Sequence, residues 1–276
     1  MSIRFAAATS VFAATFFMAM TAASAAGGAV EAPPIALSAE QIVDKAVEAR
    51  GGAVAWGKIT TLTWVGHLES ERSPVPSLAF QLQEKRPDKS RFEITEPSQR
   101  SVRVFNGISG WKVRPGPDGR PQVKPFTAQE TRFARAASGL EGALIDYRAR
   151  GSKVALESIE QLDGRKAYRI GVRIASGEVQ TVWIDAETFL ESRYDRIAYD
   201  DQQGPKGMVS VRYRDFKVVE GLALPSVFEI SGAASSKPDR MVIEKVALNP
   251  PIDERVFDGL GGARTQSAAE PKTALR

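Results

Sequence analysis

Residues 78–111 read LAFQLQEKRPDKSRFEITEPSQRSVRVFNGISGW, and a two-residue alternation in this stretch sets the fold class. Leu78, Phe80 and Leu82 alternate with Ala79, Gln81 and Gln83, so the three apolar side chains share one side of a strand. Continuing the count carries Glu84 and Arg86 onto that same apolar side. An arginine turned toward a greasy interior must find a hydrogen-bonding partner, because an unpaired buried charge is costly. Two turn signals, Pro87-Asp88 and Asn106-Gly107, punctuate the stretch and fold it back on itself.

Working outward, the same period recurs along most of the chain. It appears at Leu62, Trp64 and Leu68; Phe92 and Ile94; Val102 and Val104; Trp111 and Val113; and Val154 and Leu156. It returns at Tyr168, Ile170, Val172 and Ile174; Val182 and Ile184; Val209, Val211 and Tyr213; Phe228 and Ile230; and Val242, Val246 and Leu248. Further turn signals stand at Asp118-Gly119, Asp163-Gly164, Ser176-Gly177 and Glu220-Gly221. Many short strands joined by tight turns predict a mainly β (α+β) chain built on an antiparallel sheet, strongly curved or nearly closed.

Two segments depart from period two. Ser38-Ala39-Glu40-Gln41 has the form of a capping box and predicts a helix with Ile42, Val43, Ala46 and Val47 on one face, ended by Gly51-Gly52. Ala53 to Ile59, with Trp56, adds a short second turn of helix. Thr127-Ala128-Gln129-Glu130 is a second capping box, followed at helical spacing by Phe133, Ala137, Leu140, Leu144 and Tyr147. Gly139 and Gly142 interrupt this helix over 127–147, each costing about 1 kcal/mol relative to Ala, so it is expected to be bent, broken or marginally held. It is either a plug over one end of the sheet or a lid that moves when a ligand enters.

Residues 1–26, MSIRFAAATSVFAATFFMAMTAASAA, place Arg4 ahead of an apolar run that ends in Ala23-Ser24-Ala25. That pattern predicts a signal peptide over 1–25 cleaved near Ala25; a retained membrane anchor is the alternative. A flexible lead over 26–37, a single domain over 38–260 and a disordered tail over 261–276 complete the expected organisation. The chain has no cysteine, which excludes disulfides, thiolate metal sites and the acylated cysteine of a lipoprotein. Localisation in the periplasm as a monomer is the expectation. The net charge of +4 is too modest for a dedicated nucleic-acid binder. Residues 85–124 nevertheless hold ten Lys/Arg against four Asp/Glu, a band that is either a solvated face or a surface for lipid headgroups or an acidic partner.

Catalytic chemistry is hard to find. His67 is the only histidine, so paired-histidine metal sites are excluded and no metal is expected. A secreted hydrolase would have to use His67 or a carboxylate pair such as Glu69 and Glu71, with no nucleophile-elbow pattern to help it. Asp200-Asp201 reads as a hairpin tip or a weak calcium loop. No phosphate-cradling or dinucleotide motif calls for a cofactor, and no enzyme is expected.

The order of motifs does carry a resemblance. Lys85-Arg86-Pro87, then Arg91-Phe92-Glu93, Pro97, a strand, Asn106-Gly107 and Trp111 is similar to the block that marks the periplasmic lipoprotein carriers LolA and LolB. Downstream, DGRKAYRI (163–170), WIDAETFLESRY (183–194), FKVVEGLALPSVFEI (216–230) and ALNPPIDERVF (247–257) resemble the broader group of outer-membrane lipoprotein-sorting-like proteins. The chain departs from the carriers in reading Asn-Gly in place of Asp-Gly and in having extra C-terminal strands. The resemblance implies a half-open curved antiparallel β-barrel with a covering helix lid and an apolar cavity for acyl chains. It also implies a role for Arg86 as a latch between barrel and lid; pairing with Glu84 or another acid is the alternative.

The candidate cavity residues are Leu62, Trp64, Phe80, Leu82, Phe92, Ile94, Val104, Trp111, Phe133, Leu140, Leu144, Tyr168, Tyr213 and Phe228. The function expected is that of a carrier or chaperone for a lipid or lipoprotein acyl chain, touching the membrane surface transiently and engaging an inner- or outer-membrane protein. The alternative is an envelope sensor or partner-binding module on the same fold.

Overall fold

The computed structural model describes residues 37–258, apart from 72, 97–98, 117, 137–139, 201–203 and 233–236. The expected signal peptide, the lead up to residue 36, the tail 261–276, and Pro97, Ala137, Gly139 and Asp201 thus lie outside the described residues. Helix α1 (Ala39–Ala49) starts on the capping box read from the sequence: Ser38 Oγ accepts from the Gln41 amide at 3.2 Å, and Gln41 Oε1 accepts from the Ser38 amide at 2.8 Å. Gly51 ends this segment at φ +105°, and a Cβ there would lie 2.5 Å from the Gly221 carbonyl oxygen. The single turn α2 (Ala53–Gly57) then inserts Trp56, which is fully buried.

Thirteen strands are described and form one antiparallel sheet. They are β1 (Thr61–Glu69), β2 (Leu78–Lys85), β3 (Lys89–Thr95), β4 (Arg100–Asn106), β5 (Gly110–Pro115), β6 (Pro121–Pro125) and β7 (Lys153–Leu162). The remainder are β8 (Arg165–Arg173), β9 (Val179–Asp185), β10 (Glu191–Asp200), β11 (Gly204–Val219), β12 (Leu222–Ser231) and β13 (Asp239–Leu248). Tight turns carry the meander: Asp163-Gly164 and Glu220-Gly221 each place two successive residues at positive φ, the conformation that matches the right-handed twist of a hairpin. Strands β6 and β10 lie outside the period-two segments read from the sequence, because prolines at both ends of β6 and the charged residues of ESRYDRIAYD in β10 hide the alternation.

The order β6-β5-β4-β3-β2-β1-β13-β12-β11-β10-β9-β8-β7 joins the first and last strands at the centre and leaves β6 and β7 at opposite edges. These two strands are consecutive in sequence, so residues 126–152 must travel from one edge to the other. That crossing closes over a curved, half-open barrel, which makes the segment a lid by topology. At the central seam the register slips between Val65 and Gly66, where a Cβ on Gly66 would meet the Val242 carbonyl oxygen at 1.9 Å.

Helix α3 (Ala128–Ala136) opens on the second capping box, with Thr127 Oγ1 accepting from the Glu130 amide at 3.1 Å and Glu130 Oε2 accepting from the Thr127 amide at 3.0 Å. The helix does not continue to Tyr147. Leu140, Leu144 and Tyr147 sit in a series of turns, since Gly142 adopts φ +86° and the Arg150 guanidinium takes the freed carbonyls of Gly142 and Ile145.

Two apolar clusters lie on the face turned toward α1, α2 and residues 140–147. One gathers Trp56, Leu62, Trp64, Phe80, Leu140, Ile145, Leu224 and Val246; the other packs Ile42, Val43 and Ala46 of α1 against Leu144, Ile170, Val172, Val182 and Ile184. A third cluster, under the 3-10 turn Glu254–Phe257, lies on the opposite face around Val102 and Val104.

Candidate functional site

Strand register assigns each side chain to a face. Across β1, β2, β3 and β4 the pairs Trp64–Leu82, Leu82–Phe92 and Phe92–Arg103 share the inner face, the one turned toward the lid. Across the other arm, Met241–Phe228, Phe228–Tyr213, Tyr194–Val182 and Val182–Ile170 continue it. Nine of the expected cavity residues stand there: Leu62, Trp64, Phe80, Leu82, Phe92, Ile94, Tyr168, Tyr213 and Phe228.

Trp111 does not share that face, which corrects the expectation for it; Val104 stands on the same outer register yet borders the cavity between β2–β4 and α3. Val104 pairs with Arg91 and with Trp111, and these two apolar residues pack with Val113, Ile252, Val256 and Phe257 on the outer face. Because the C-terminal 3-10 turn covers the outside of β4, both of its faces are apolar and alternation cannot choose between them. The inner residues of β4 are Arg103 and the nearly fully buried Phe105.

The inner-face residues divide by what they touch. Leu62, Trp64 and Phe80 are core, closed in by Trp56, Ile145 and Val246, with Ile94 and Phe228 packed around them. Trp64 meets Phe228 edge-on at 5.9 Å, and Phe228 meets Tyr213 edge-on at 5.6 Å. Leu144 lies in the cluster beneath α1, and Tyr168 stacks on Phe189 at 6.1 Å beside it. Leu82, Phe92, Phe133 and Leu140 border open space: with Phe105, Phe126 and Glu84 they line a cavity of about 220 Å3 between β2–β4 and α3.

Two further cavities adjoin the lid. One of about 790 Å3 runs between α3, residues 142–152 and the inner face of β9–β11, and includes Tyr194, Tyr213, Glu191 and Arg150. Another of about 420 Å3 lies between α3 and the 176–180 and 194–197 segments. Phe133 borders the first and third, and Arg132 the second and third, so space runs along α3 on more than one side.

Helix α3, unlike residues 140–147 of the same segment, is attached mainly through polar contacts. Glu130 takes hydrogen bonds from Lys112 Nζ at 2.7 Å and longer ones from Arg103 at 3.4 Å. Burial opposes ionisation of Glu130, yet the Lys112 bond, the Thr127 amide and the Arg103 charge together hold its carboxyl below the usual carboxylate range. Arg135 donates to the Ile108 carbonyl at 3.1 Å, and the Arg196 guanidinium lies 3.8 Å from the Phe133 ring centre. Phe133 itself is 37% exposed and belongs to neither core cluster.

Arg86 projects where alternation carries it. Its Nε donates to the Ile59 carbonyl at 2.7 Å and Nη2 to the Trp56 carbonyl at 3.2 Å, while Nη1 and Nη2 lie 3.1 and 2.9 Å from the two oxygens of Glu141. Glu141 belongs to the crossing segment and its side chain is 3% exposed, so this pair ties the strand end, α2 and the crossing segment together. The partner is Glu141 and not Glu84, whose Oε2 accepts from Trp64 Nε1 at 3.1 Å. Burial, reinforced by the nearby Glu141 charge, pushes the Glu84 carboxyl up to about 7 against the opposing Trp64 bond.

Much of the basic band is neutralised within the chain. Lys85 and Lys89 pair with Glu254, Arg91 and Arg100 with Glu93, and Arg103 and Lys112 with Glu130. His67 Nδ1 sits 2.7 Å from Glu244, while Glu69 and Glu71 pair with Arg240 and Lys237 on the sheet surface, outside the three cavities. Among the described residues there is no group of three or more acidic, histidine or cysteine side chains that could hold a metal ion, and no helix long and apolar enough to cross a membrane.

No protein-family model matches this sequence, and neither does any curated protein. Solved structures do share its architecture. A LolA superfamily protein from Nitrosomonas europaea superposes with a TM-score of 0.52 at 15% identity, over 80% of this chain and 98% of that one. A domain assigned to outer membrane lipoprotein sorting from Vibrio parahaemolyticus gives 0.53 at 12% identity, over 80% and 96%. A DUF1329 family protein from Desulfovibrio piger gives 0.52 at 12%, over 80% and 98%. The resemblance carried by the motif order is thus matched in three dimensions, and the chain adopts the fold of these LolA superfamily and lipoprotein-sorting structures.

Proposed function

We propose that this protein is an exported carrier that holds a lipid or lipoprotein acyl chain between the inner face of its half-open barrel and the α3 lid, and passes it across the envelope. The observation that supports this reading is the space under α3. Leu82, Phe92, Phe105, Phe126, Phe133 and Leu140 present apolar and aromatic surface to it, while the lid above is held by Glu130 and a cation–π contact and not by core packing. The same wall carries Glu84, Lys85, Asp88, Lys89, Ser90 and Arg103; its apolar and aromatic part can take a hydrocarbon, and a roof fastened by ion pairs can lift without breaking the core. In this reading the Arg86–Glu141 pair is the latch at the far end of the crossing segment.

The fold neighbours add the lipoprotein-sorting context, and the apolar run before Ala25 adds export to the periplasm. The protein acts as a monomer that meets the membrane surface and a membrane-protein acceptor transiently. The reading as a partner-docking module on the basic band draws less support, because that band is largely neutralised by Glu93, Glu130 and Glu254.

Expression of the exported protein, extraction into organic solvent and lipid mass spectrometry test the carrier reading. Recovery of a bound or exchangeable acyl lipid is expected, and its loss in Phe92→Asp, which charges the cavity wall, is expected with it. A protein that neither carries nor takes up any acylated molecule would overturn the proposal.

A further inference from the structure

Most half-buried arginines of this protein face a carboxylate, as Arg86 does Glu141, Arg193 does Asp195 and Arg214 does Glu229. Among the described residues, Arg150 and Arg196 are the half-buried arginines with no carboxylate within ion-pair distance, and both border the space beside α3. Arg196 rests on the Phe133 ring, and no hydrogen bond to it is found among the described residues. Arg150 gives two bonds to backbone carbonyls and keeps a buried Nε without a partner. Arg132, exposed on α3 and likewise without a carboxylate partner among the described residues, borders both cavities.

The acids around the same space are Glu191, Glu178 and Asp88. Glu191 is committed to Arg50 at 2.9 Å, and neither of the other two reaches Arg132 or Arg196. The rim of the smaller cavity also carries apolar surface that faces solvent, in Val179 (42% exposed), Ile197 (41%) and Phe133. Guanidinium groups lacking acids next to exposed apolar side chains make a surface for a molecule with both properties. A phosphate or carboxylate takes two parallel N–H bonds from a guanidinium fork, and partial burial strengthens them.

We propose that Arg132 and Arg196 form a headgroup site at the mouth between α3 and β10, so that the molecule carried is an amphiphile with an anionic oxygen headgroup. Arg150 supplies positive charge deeper in the larger cavity, and the acyl chain runs on beneath α3. This inference rests on the carrier reading and names the class of its cargo.

The test compares three probes on the purified protein by calorimetry or displacement of a fluorescent fatty acid: palmitoyl glycerol phosphate, monopalmitoylglycerol with the same chain, and glycerol phosphate without a chain. The charged amphiphile is expected to bind about tenfold tighter than the neutral one, and glycerol phosphate alone far more weakly than either. In Arg132→Gln/Arg196→Gln the preference for the charged amphiphile over monopalmitoylglycerol disappears. Arg132→Gln alone, at an exposed helix position that cannot compromise folding, loses part of the preference. Equal binding of both amphiphiles, unaffected by the substitutions, overturns the headgroup site and leaves the carrier intact. Binding of neither overturns the carrier and this inference with it. Glycerol phosphate binding as tightly as its palmitoyl form would mean a free-anion site and overturn the amphiphile.

Discussion

Replacing Glu84 by Gln should stabilise the protein at neutral and alkaline pH and leave it unchanged in acid. Glu84 stands half-buried on the inner face beside Trp64 and Glu141, and loss of solvation pushes its carboxyl up from 4.5 to about 7. Between those two values the folded chain keeps a proton that the unfolded chain has released. Stability therefore falls as pH rises through the window, by about 1.4 kcal/mol per pH unit and about 3 kcal/mol in all, and is flat below and above it. Gln carries no charge to desolvate, and its carbonyl oxygen can still accept from Trp64 Nε1. Glu84→Gln is accordingly expected to gain about 3 kcal/mol over the parent at pH 8 and about nothing at pH 4. Urea unfolding followed by tryptophan fluorescence at one-unit steps from pH 4 to 8 measures the gap. A gap that stays constant across that range would refute the argument, because desolvation of an ionising carboxylate cannot produce it.

Glu141→Gln removes the acid opposite Arg86, which retains the Ile59 and Trp56 carbonyls; a loss of about 1–3 kcal/mol is expected, with faster amide exchange over residues 140–147, and unchanged exchange would contradict the latch. Glu130→Ala leaves Lys112 and Arg103 without their shared acid on the lid, so exchange in α3 should rise while the urea midpoint of the core moves little; equal protection in both proteins would show that the lid is held otherwise. Phe105→Ala deletes a side chain 1% exposed and should cost about 3–5 kcal/mol, whereas Phe133→Ala, 37% exposed, should cost under about 1 kcal/mol. Similar costs for the two phenylalanines would overturn the division of the cavity wall into a buried side at Phe105 and an exposed side at Phe133.

The legibility of the site follows from how each residue was coded. Leu78, Phe80 and Leu82 alternate against polar neighbours, and the count carried to Arg86 is correct because β2 runs unbroken to Lys85 and the chain keeps its pleat to the next residue. The same count misjudged Trp111, since the outer face of β4 and β5 is as apolar as the inner face once residues 252–257 pack on it. Phe105 could have been found by aligning Phe92 against Arg103 across the hairpin, a register that depends on where the turn at 96–99 falls. Glu141 and Arg196 gave no local signal at all: each matters because of what a distant strand brings beside it.

Local chemistry alone therefore determined most of the elements: period two wrote the strands other than β6 and β10, two capping boxes wrote the starts of α1 and α3, and Gly51 wrote an end. Tertiary structure decided what those elements enclose. Joining β1 to β13 at the centre sent β6 and β7 to opposite edges, which obliged residues 126–152 to cross the barrel and become its roof. That crossing set Glu141 against Arg86, Glu130 against Lys112 and Phe133 beneath Arg196. Pairings of this kind link residues far apart in the chain, so they depend on sheet order and register, which no short window of sequence contains.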